Sequence, residues 1–543
     1  MEDSITRRTL LGAVGAGGFV SIAGCAGDSG DGGGNDDPYS SETKTGDGSS
    51  TDNNSSSGNN STATGGSANV ALSMDPTEGV WQVYGGVSPY YTNILEPLIW
   101  VSEEMKLEPW LATDWEATSD TTWEFTLRDS VKFHNGEDLV AEHVVWSFEQ
   151  VLNEWSYAPG WLHVESGSVT AIDETTVEFE TSDPFPTFPG TIAHNMIAIQ
   201  HPDRSRENTE PIGTGPYQVE ERTQGQRVRT SGFDDYWNGT PSLDELTFSV
   251  ITDPNTRALS LQNGDVDVAF DPPKSRVEKL DSNGGTNVTT QLSPGAVYVG
   301  CNIYKAPMDD PKLRQALNYA TSQSDLVETI LSNIGVPAKG PVAESIFWSA
   351  HEKLPAYEQD VEKAKELVEE SSYDGEALQF HLSNQQVDGE LLTQALQQWF
   401  DDIGVKVDIQ VTEEASFEDT VRSGEPHLIL ESSGTNSGAA DYLIYETFHS
   451  EGDVNERLYN EEGTGIYNLG EEVDQLIQAG FQTGDQAEKE QKYEQALQRI
   501  MEEAVVVPIN YSEYIVAASD GVSSMDLRPI PEMTRWTGLQ TGQ

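Results

Sequence analysis

The chain has 543 residues, too many for a single hydrophobic core, so the length predicts at least two lobes. Its 91 acidic residues against 30 basic ones give a formal net charge of −61, which excludes nucleic acid as a partner because phosphates require positive charge. The acidic residues are scattered and lysine is scarce, which favours a hydrated acidic shell adapted to concentrated salt. An ordinary acidic protein is the alternative.

The first 25 residues read as an export signal. Arg7-Arg8 followed by Thr-Leu-Leu resembles the twin-arginine signal, and Ile-Ala-Gly-Cys25 resembles a lipobox, whose cysteine becomes the lipid-carrying first residue. The apolar run between them is short and rich in glycine, so it is poorly suited to span a bilayer. A nucleotide-binding loop is excluded because the third glycine of G-x-G-x-x-G is absent. The remaining alternative is a cytosolic protein that happens to begin with an apolar stretch.

Residues 26–67 are nearly all Gly, Ser, Thr, Asn and Asp, which predicts a disordered linker. If Cys25 carries lipid, the second cysteine, Cys301, has no partner for a disulfide. Apolar neighbours surround Cys301, so a buried, inert thiol is expected there.

From residue 68 the pattern mixes strands and helices. Alternation of apolar and polar residues predicts strands at 123–134 and 177–180, and helical spacing predicts a helix at 141–153. Further helices are expected at 310–323, 360–371, 388–404 and 487–504, with starts at Asp310 and Asp360 and a stop at Gly404. Strands at 406–411 and 427–432 alternate with these helices, which indicates α/β topology. A helix, a glycine and an apolar strand follow one another both at 254–270 and at 416–430, which suggests two related lobes.

Several blocks, in order along the chain, resemble the extracellular solute-binding proteins of family 5, which serve peptide and nickel ABC transporters. The blocks are LATDWEATSDTTWEFTLRDSVKFHNGEDLVAEHVVWSFEQVL (111–152), PIGTGPYQVE (211–220), YWNGTPSLDELTF (236–248), LQNGDVDVAF (261–270), 302–331, 360–371 and 473–509. The resemblance covers essentially all of 68–543, and with the export signal it implies a haloarchaeal-type lipoprotein.

The resemblance implies an α/β, two-lobed periplasmic-binding-protein-like fold of type II, with an accessory subdomain, around a central cleft. It places lobe I at 68–95, 212–300 and 508–543, the accessory subdomain of lobe I at 96–211, and lobe II at 302–507. The chain would cross between the lobes near Gly300-Cys301-Asn302 and Val507-Pro508.

The chain departs from the family pattern at 431–450. Peptide-binding members have a Gly-Trp followed by an acidic run here, and one Asp of that run pairs with the amino terminus of the peptide. In this chain Ala439-Ala440-Asp441 replaces the acidic run, so Asp441 is the carboxylate left to anchor an amine.

Binding sites of this kind combine apolar or aromatic walls with a few polar groups. The first lobe is expected to contribute Trp81, Tyr84 and Tyr90 from WQVYGGVSPYYTN. The second lobe is expected to contribute Asn436, Asp441 and Tyr442. Packing of the aromatic residues in the core is the alternative for each of them.

Catalytic motifs such as His-Glu-x-x-His, Gly-x-Ser-x-Gly and phosphate loops are absent from the sequence. His134, Glu137 and His143 are close in sequence and could suggest a metal, but a structural role is favoured, so no metal and no cofactor are expected. The sequence thus predicts a monomeric, lipid-anchored receptor on the outer face of the membrane, not an enzyme. It would deliver a peptide-like solute to an ABC permease. An oligosaccharide, a nickel chelate or, in another class, an extracellular hydrolase are the alternatives.

Overall fold

The computed structural model describes residues 65–77, 91–154, 158–194, 197–203, 211–282, 284–437, 441–452, 455 and 465–542. Arg7, Arg8 and Cys25 lie outside these residues, as do Trp81, Tyr84 and Tyr90. Among the described residues, no helix combines the length and the apolar character that a membrane crossing requires.

The strands are β1 Ser67–Leu72, β2 Ile99–Val101, β3 Leu107–Pro109, β4 Ala112–Ala117, β5 Thr122–Leu127, β6 Val164–Ala171, β7 Thr176–Thr181, β8 Tyr217–Thr223, β9 Arg227–Gly232, β10 Glu245–Val250, β11 Val268–Phe270, β12 Thr286–Cys301, β13 Val336–Pro337, β14 Leu378–Ser383, β15 Val407–Thr412, β16 Leu428–Ser433, β17 Val506–Ser519, β18 Val522–Ser523 and β19 Gln540–Thr541. The α-helices are α1 Ala141–Glu154, α2 Ala158–Leu162, α3 Phe188–Thr191, α4 Pro254–Asn263, α5 Val277–Ser282, α6 Pro311–Ala320, α7 Gln323–Asp325, α8 Val361–Glu370, α9 Gly389–Asp402, α10 Glu414–Arg422, α11 Asp441–Phe448, α12 Glu471–Gln482 and α13 Gln486–Glu502.

The largest sheet runs through both halves of the molecule. Its order is β15-β14-β16-β12-β17-β11-β1-β10-β9-β8, with β13 paired to β17 off this path. The long antiparallel pair β12 and β17 is the element that joins the two halves. A separate four-stranded sheet, β4-β5-β7-β6, forms the accessory subdomain with α1 packed on it.

The buried side chains separate into cores on either side of the β12–β17 pair. Two clusters of buried residues draw on 298–509 and make lobe II, whereas three draw on 68–280 and 514–539 and make lobe I with its accessory subdomain. Between them lies a small cluster of Ala296, Ala338, Ala343 and Tyr511. These two sets of cores, joined by a two-stranded connection, give the two-lobed α/β fold.

The connection is irregular where the two sets of cores meet. The pairing of β12 with β17 shifts register between Leu292 and Ala296 and again between Val297 and Tyr298. Pro294 and Gly295 lie in this stretch, and both weaken a strand because proline has no N–H and glycine has no side chain to pack. The crossing is therefore most deformable there.

Gly300, which the sequence placed at a crossing, has a packing role in the structure. A Cβ at this position would lie 1.7 Å from the hydroxyl oxygen of Tyr467, so only glycine allows the ring to pack there. The neighbouring Cys301 is fully buried, as predicted, and burial raises the pKa of its thiol to about 12.

The accessory subdomain is fixed to lobe I through the carboxylate of Glu96, which is 1% exposed. One oxygen accepts hydrogen bonds from Trp110 Nε1 and from the hydroxyl of Tyr236, each at 2.8 Å. The other accepts from Thr214 Oγ1 at 2.7 Å and from Trp237 Nε1 at 3.1 Å. Every acceptor position of this buried carboxylate is thus occupied.

Candidate functional site

The strand register places the candidate binding cleft between the two lobes. Phe270 ends β11 beside Val516 of β17, which in turn pairs with Thr289 of β12. From the other side, Ser433 ends β16 beside Ala296 of β12. β11 and β16 therefore run towards each other. Their carboxyl ends lie on either side of the segment of β12 between Thr289 and Ala296. Ligands of open α/β sheets bind outside the carboxyl ends of strands, so this gap is the candidate site.

Asp271 directly follows β11 and forms part of the lobe I wall. Its φ of 43° is a left-handed conformation, which aspartate tolerates better than most residues. Its Oδ1 accepts a hydrogen bond from the backbone N–H of Ile515 on β17 at 3.2 Å. Burial raises the pKa of the Asp271 carboxyl.

Glu532 adds a second carboxylate to this wall. Within the described part of the chain, its Oε2 is buried and has no hydrogen-bond partner. Burial raises the pKa of Glu532 to about 7, and the nearby Asp271 carboxylate adds to this effect. A hydrogen bond from its own backbone N–H opposes this shift but leaves Oε2 without a described partner.

Buried aromatic rings of the lobe I core pack beside these carboxylates. Phe270 packs edge-on against Tyr91 at 5.8 Å between ring centroids and is stacked with Tyr514 at 6.2 Å. The hydroxyl of Tyr514 donates to the carbonyl of Arg528 at 2.6 Å, which fixes its ring. The three rings are 1% to 7% exposed, so they support this end of β11 from within the core of lobe I.

The lobe II wall consists of the turn that follows β16. Thr435 and Ser437 are buried and hydrogen-bonded to each other, whereas Asn436 between them is only half-buried. The hydroxyl of Tyr442 donates to the carbonyl of Gly434 at 3.3 Å and so holds the turn to α11. Two of the residues predicted for lobe II, Asn436 and Tyr442, are thus brought together at the end of β16.

Asp441, the third residue predicted for lobe II, is engaged inside that lobe. Its side chain is 6% exposed and forms an ion pair with Lys489 of α13. Burial raises the pKa of Asp441, and Lys489 opposes this shift. The pair ties α11 to α13, so a solute amine would compete with Lys489 for this carboxylate. The role of Asp441 in binding stays a prediction.

A group of metal-ligating side chains lies in the accessory subdomain, but its hydrogen bonds have the wrong polarity for a metal. The group is Glu137, His143 and His201; His134, which is close in sequence, instead contacts the backbone of Gly213 and Gly215. Backbone N–H groups donate to the Nδ1 atoms of His143 and His201, at 3.2 and 3.1 Å.

Each neutral ring must therefore carry its proton on Nε2, and His201 donates that proton to Glu137 at 3.1 Å. A histidine that binds metal through Nε2 needs a proton on Nδ1 instead, where it donates to an acceptor. The arrangement is that of a structural hydrogen-bond network.

Residues 106–455 match the model of the bacterial extracellular solute-binding proteins, family 5, middle region. This match covers well over half of the chain. The chain belongs to this family.

Family 5 relatives agree with this assignment over most of their length. The glutathione-binding protein GsiB of Escherichia coli strain K12 is 28% identical over 454 residues, which make up 80% of this chain and 87% of GsiB. The structure of a nickel ABC transporter protein from Bacillus halodurans is 25% identical, with a TM-score of 0.74, and covers 88% of this chain and 100% of that one. Helicobacter pylori DppA in complex with the peptide STSA shares the fold at 21% identity, with a TM-score of 0.70 over 89% of this chain and 99% of DppA.

The family assignment confirms the resemblance and the fold class expected from the sequence. Family 5 proteins are extracellular substrate-binding components of ABC importers, and the relatives are binding proteins, not enzymes. The cleft between the lobes is therefore the candidate site for the solute.

Proposed function

We propose that this chain captures a peptide-like solute with a free ammonium group and delivers it to an ABC permease. The observation that supports this best is the pair of carboxylates on lobe I. Asp271 and Glu532 lie together at the carboxyl end of β11, and Glu532 Oε2 is buried without a described partner. An ammonium group would supply the hydrogen bonds and the charge that this carboxylate lacks.

This proposal moves the main amine contact from lobe II to lobe I. In lobe II, Lys489 already neutralises Asp441, so this carboxylate is a weaker anchor than the sequence suggested. Asn436 and Tyr442 would then supply neutral polar contacts to the peptide backbone. Trp81, Tyr84 and Tyr90 are proposed to contact the solute from the lobe I side.

The names of the relatives support a solute of this size and chemistry. GsiB binds glutathione, a peptide-like molecule, and H. pylori DppA holds a peptide. The nickel protein of B. halodurans keeps a metal chelate as the second candidate. An oligosaccharide remains an outcome of the test.

The proposed site of action is the outer face of the membrane. Arg7-Arg8 would direct export, Cys25 would carry the lipid, and residues 26–67 would tether the folded body, acting as a monomer, next to the permease. Replacing Cys25 with alanine should release the protein into the medium, and intact mass of the wild-type protein should show the lipid. A Cys25→Ala protein that stays with the membrane would contradict this part of the proposal.

The solute is tested by calorimetry in molar salt with a panel of dipeptides and tripeptides. Each peptide is paired with its N-acetylated form, and Ni(His)₂ and a malto-oligosaccharide are included. We expect acetylation to weaken binding at least about 100-fold, because it removes the ammonium group and leaves a buried carboxylate unpaired. Equal binding of both forms would refute the ammonium contact, and binding of Ni(His)₂ or of the sugar alone would refute the peptide.

Single substitutions test which carboxylate contacts the ammonium group of the solute. Glu532→Gln and Asp271→Asn should weaken peptide binding, whereas Glu369→Gln, which changes an exposed carboxylate on α8, should leave it unchanged. Asp441→Asn should lower thermal stability and have a smaller effect on binding. A larger binding loss for Asp441→Asn than for Glu532→Gln would return the amine anchor to lobe II.

A further inference from the structure

The ion pair between Lys274 and Asp388 crosses the cleft. Lys274 follows β11 on lobe I, and Asp388 precedes α9 at the carboxyl end of β14 on lobe II. The Lys274 Nζ lies 3.0 Å from Asp388 Oδ2, and both side chains are about one quarter exposed, at 24% and 23%. Because the two strand ends face each other across the gap, this contact exists only when the lobes approach.

Asp388 differs from four other aspartates that occupy the N-cap of an α-helix in the described residues. The carboxylates of Asp253, Asp310, Asp360 and Asp485 each accept a hydrogen bond from a backbone N–H in the first turn of their helix. This is the usual N-cap role of aspartate. Asp388 makes no such bond, and its carboxylate turns to Lys274 of the other lobe.

The backbone at Asp388 is held in a strained conformation. Its φ of 57° and ψ of 2° are left-handed, whereas the four capping aspartates are extended. Next to it, a Cβ on Gly389 would lie 3.0 to 3.2 Å from side-chain atoms of Gln386, Leu382 and Leu430, so the start of α9 packs tightly on the ends of β14 and β16. This packing keeps the carboxylate at the rim of lobe II.

We propose that the Lys274–Asp388 pair is a latch that stabilises the closed arrangement of the lobes. In the closed form the Asp388 carboxylate makes a charge-assisted bond to lobe I and no N-cap bond. In the open form Lys274 is out of reach, and the carboxylate faces solvent at the rim of lobe II. A single partly exposed ion pair contributes little energy, so the latch favours closure without preventing opening.

A second contact between the lobes lies away from the latch. The ring of Phe185 in the accessory subdomain is 5.8 Å from that of Phe481 in α12, which in turn packs on Tyr445 at 5.1 Å. This apolar contact is insensitive to salt, whereas the ion pair is screened by it. Salt therefore separates the contribution of the latch from that of the aromatic contact.

The latch is tested on the full chain without solute, so the test is independent of the proposed ligand. Spin labels at Leu259→Cys on lobe I and Val411→Cys on lobe II, both exposed positions, report the interlobe distance by pulsed electron resonance. The label background carries Cys25→Ser, and the buried Cys301 is left in place.

We expect Lys274→Met and Asp388→Asn each to lower the ratio of closed to open molecules about fivefold, the effect of losing one partly exposed ion pair. The charge-exchanged variant K274D/D388K should recover most of the closed population. Added salt should lower the closed population of the wild-type protein relative to that of Lys274→Met, because screening of the net charge is common to both and screening of the ion pair is not.

Two controls separate the latch from general destabilisation. Lys353→Met breaks an ion pair with Glu494, at 2.6 Å, that lies entirely within lobe II, and it should leave the distance distribution unchanged. Asp360→Asn changes a capping aspartate and should do the same. Unchanged distances in Lys274→Met, or a charge-exchanged variant as open as the single variants, would overturn the proposal.

Discussion

The molecule contains two junctions that are built in opposite ways. The accessory subdomain meets lobe I around Glu96, a buried carboxylate with four hydrogen-bond donors. Lobe I meets lobe II through a pair of strands with irregular register at Pro294-Gly295, an ion pair at the rim and the contact of Phe185 with Phe481. A saturated buried network fixes relative position, whereas a weak connection with few contacts allows it to change. The first junction is thus rigid and the second is the moving one.

The largest loss of stability should come from adding a side chain at the rigid junction. A Cβ on Gly213 would lie 1.9 Å from the carbonyl oxygen of Ile94, and one on Gly215 would lie 1.9 Å from that of Asn93. We expect Gly213→Ala to lower the free energy of unfolding by at least about 4 kcal/mol, because the backbone must move. Gly484→Ala, with no atom within 4 Å of its Cβ, is the control and should be neutral in chemical denaturation. A Gly213→Ala protein as stable as the wild type would show that the backbone at this junction moves at little cost.

Replacing one carboxylate oxygen of Glu96, which joins the accessory subdomain to lobe I, should cause the next largest loss of stability. In Glu96→Gln the new amide nitrogen faces two donors, so the variant should lose about 3 kcal/mol of stability. Hydrogen exchange should rise mainly in the accessory subdomain. An equal rise of hydrogen exchange in lobe II would contradict a role of Glu96 confined to this junction.

Acid should weaken the same junction through His134. Burial lowers the pKa of His134 to about 4, below its ordinary value of 6.5. The unfolded chain therefore takes up a proton first, and this group contributes no pH dependence above pH 6.5 but costs stability as pH falls towards 4. We expect a loss of about 3 kcal/mol over this window.

His134→Gln isolates this effect from that of the buried carboxylates. Glutamine can still donate to Gly215 and accept from Gly213, but it does not titrate. Burial raises the pKa of Glu96 and of Glu532 to about 7, so these groups gain stability as pH falls from 7 to about 4.5, and both proteins share that gain. The difference between the wild type and His134→Gln should appear only below pH 6.5, and identical profiles would contradict the assignment.

The smallest effect on stability should come from the moving junction. Lys274→Met removes a partly exposed pair and should cost less than about 1 kcal/mol, although it changes the balance of closed and open molecules. A loss as large as that of Glu96→Gln would make the two junctions alike and would end the comparison.

Much of lobe II could be predicted because its helices carry local signals. Asp310 and Asp360 do cap α6 and α8, and the helix expected at 388–404 is observed as Gly389–Asp402. Gly404 follows the end of that helix with a φ of 86°. In the accessory subdomain, the strand expected at 123–134 ends at Leu127, because the residues after it form a loop closed by the isolated bridge of Lys132 with Asp138.

The residues that set the junctions and the cleft could not be found in the same way. Glu96 and Glu532 are two among 91 acidic residues, and nothing local distinguishes them from the solvated majority. The helix predicted at 388–404 begins with Asp388, but the partner of Asp388, Lys274, lies 114 positions away. The family pattern predicts Asp441 as an amine anchor, but its pairing with Lys489 depends on the packing of α11 against α13. Such pairs are properties of the fold and are not encoded in any short segment.

The β12–β17 pair also determines how the protein must be assembled. The backbone N–H of Cys301 donates to the carbonyl of Val505 at 3.0 Å, so the whole of lobe II is inserted between two points that touch. Lobe I cannot complete its sheet until β17, which follows lobe II along the chain, has been synthesised. A chain truncated anywhere before β17 would leave β11 and β12 with exposed edges, which makes incomplete molecules targets for proteolysis and aggregation. Lobe I therefore begins before lobe II in the chain and is completed only after it.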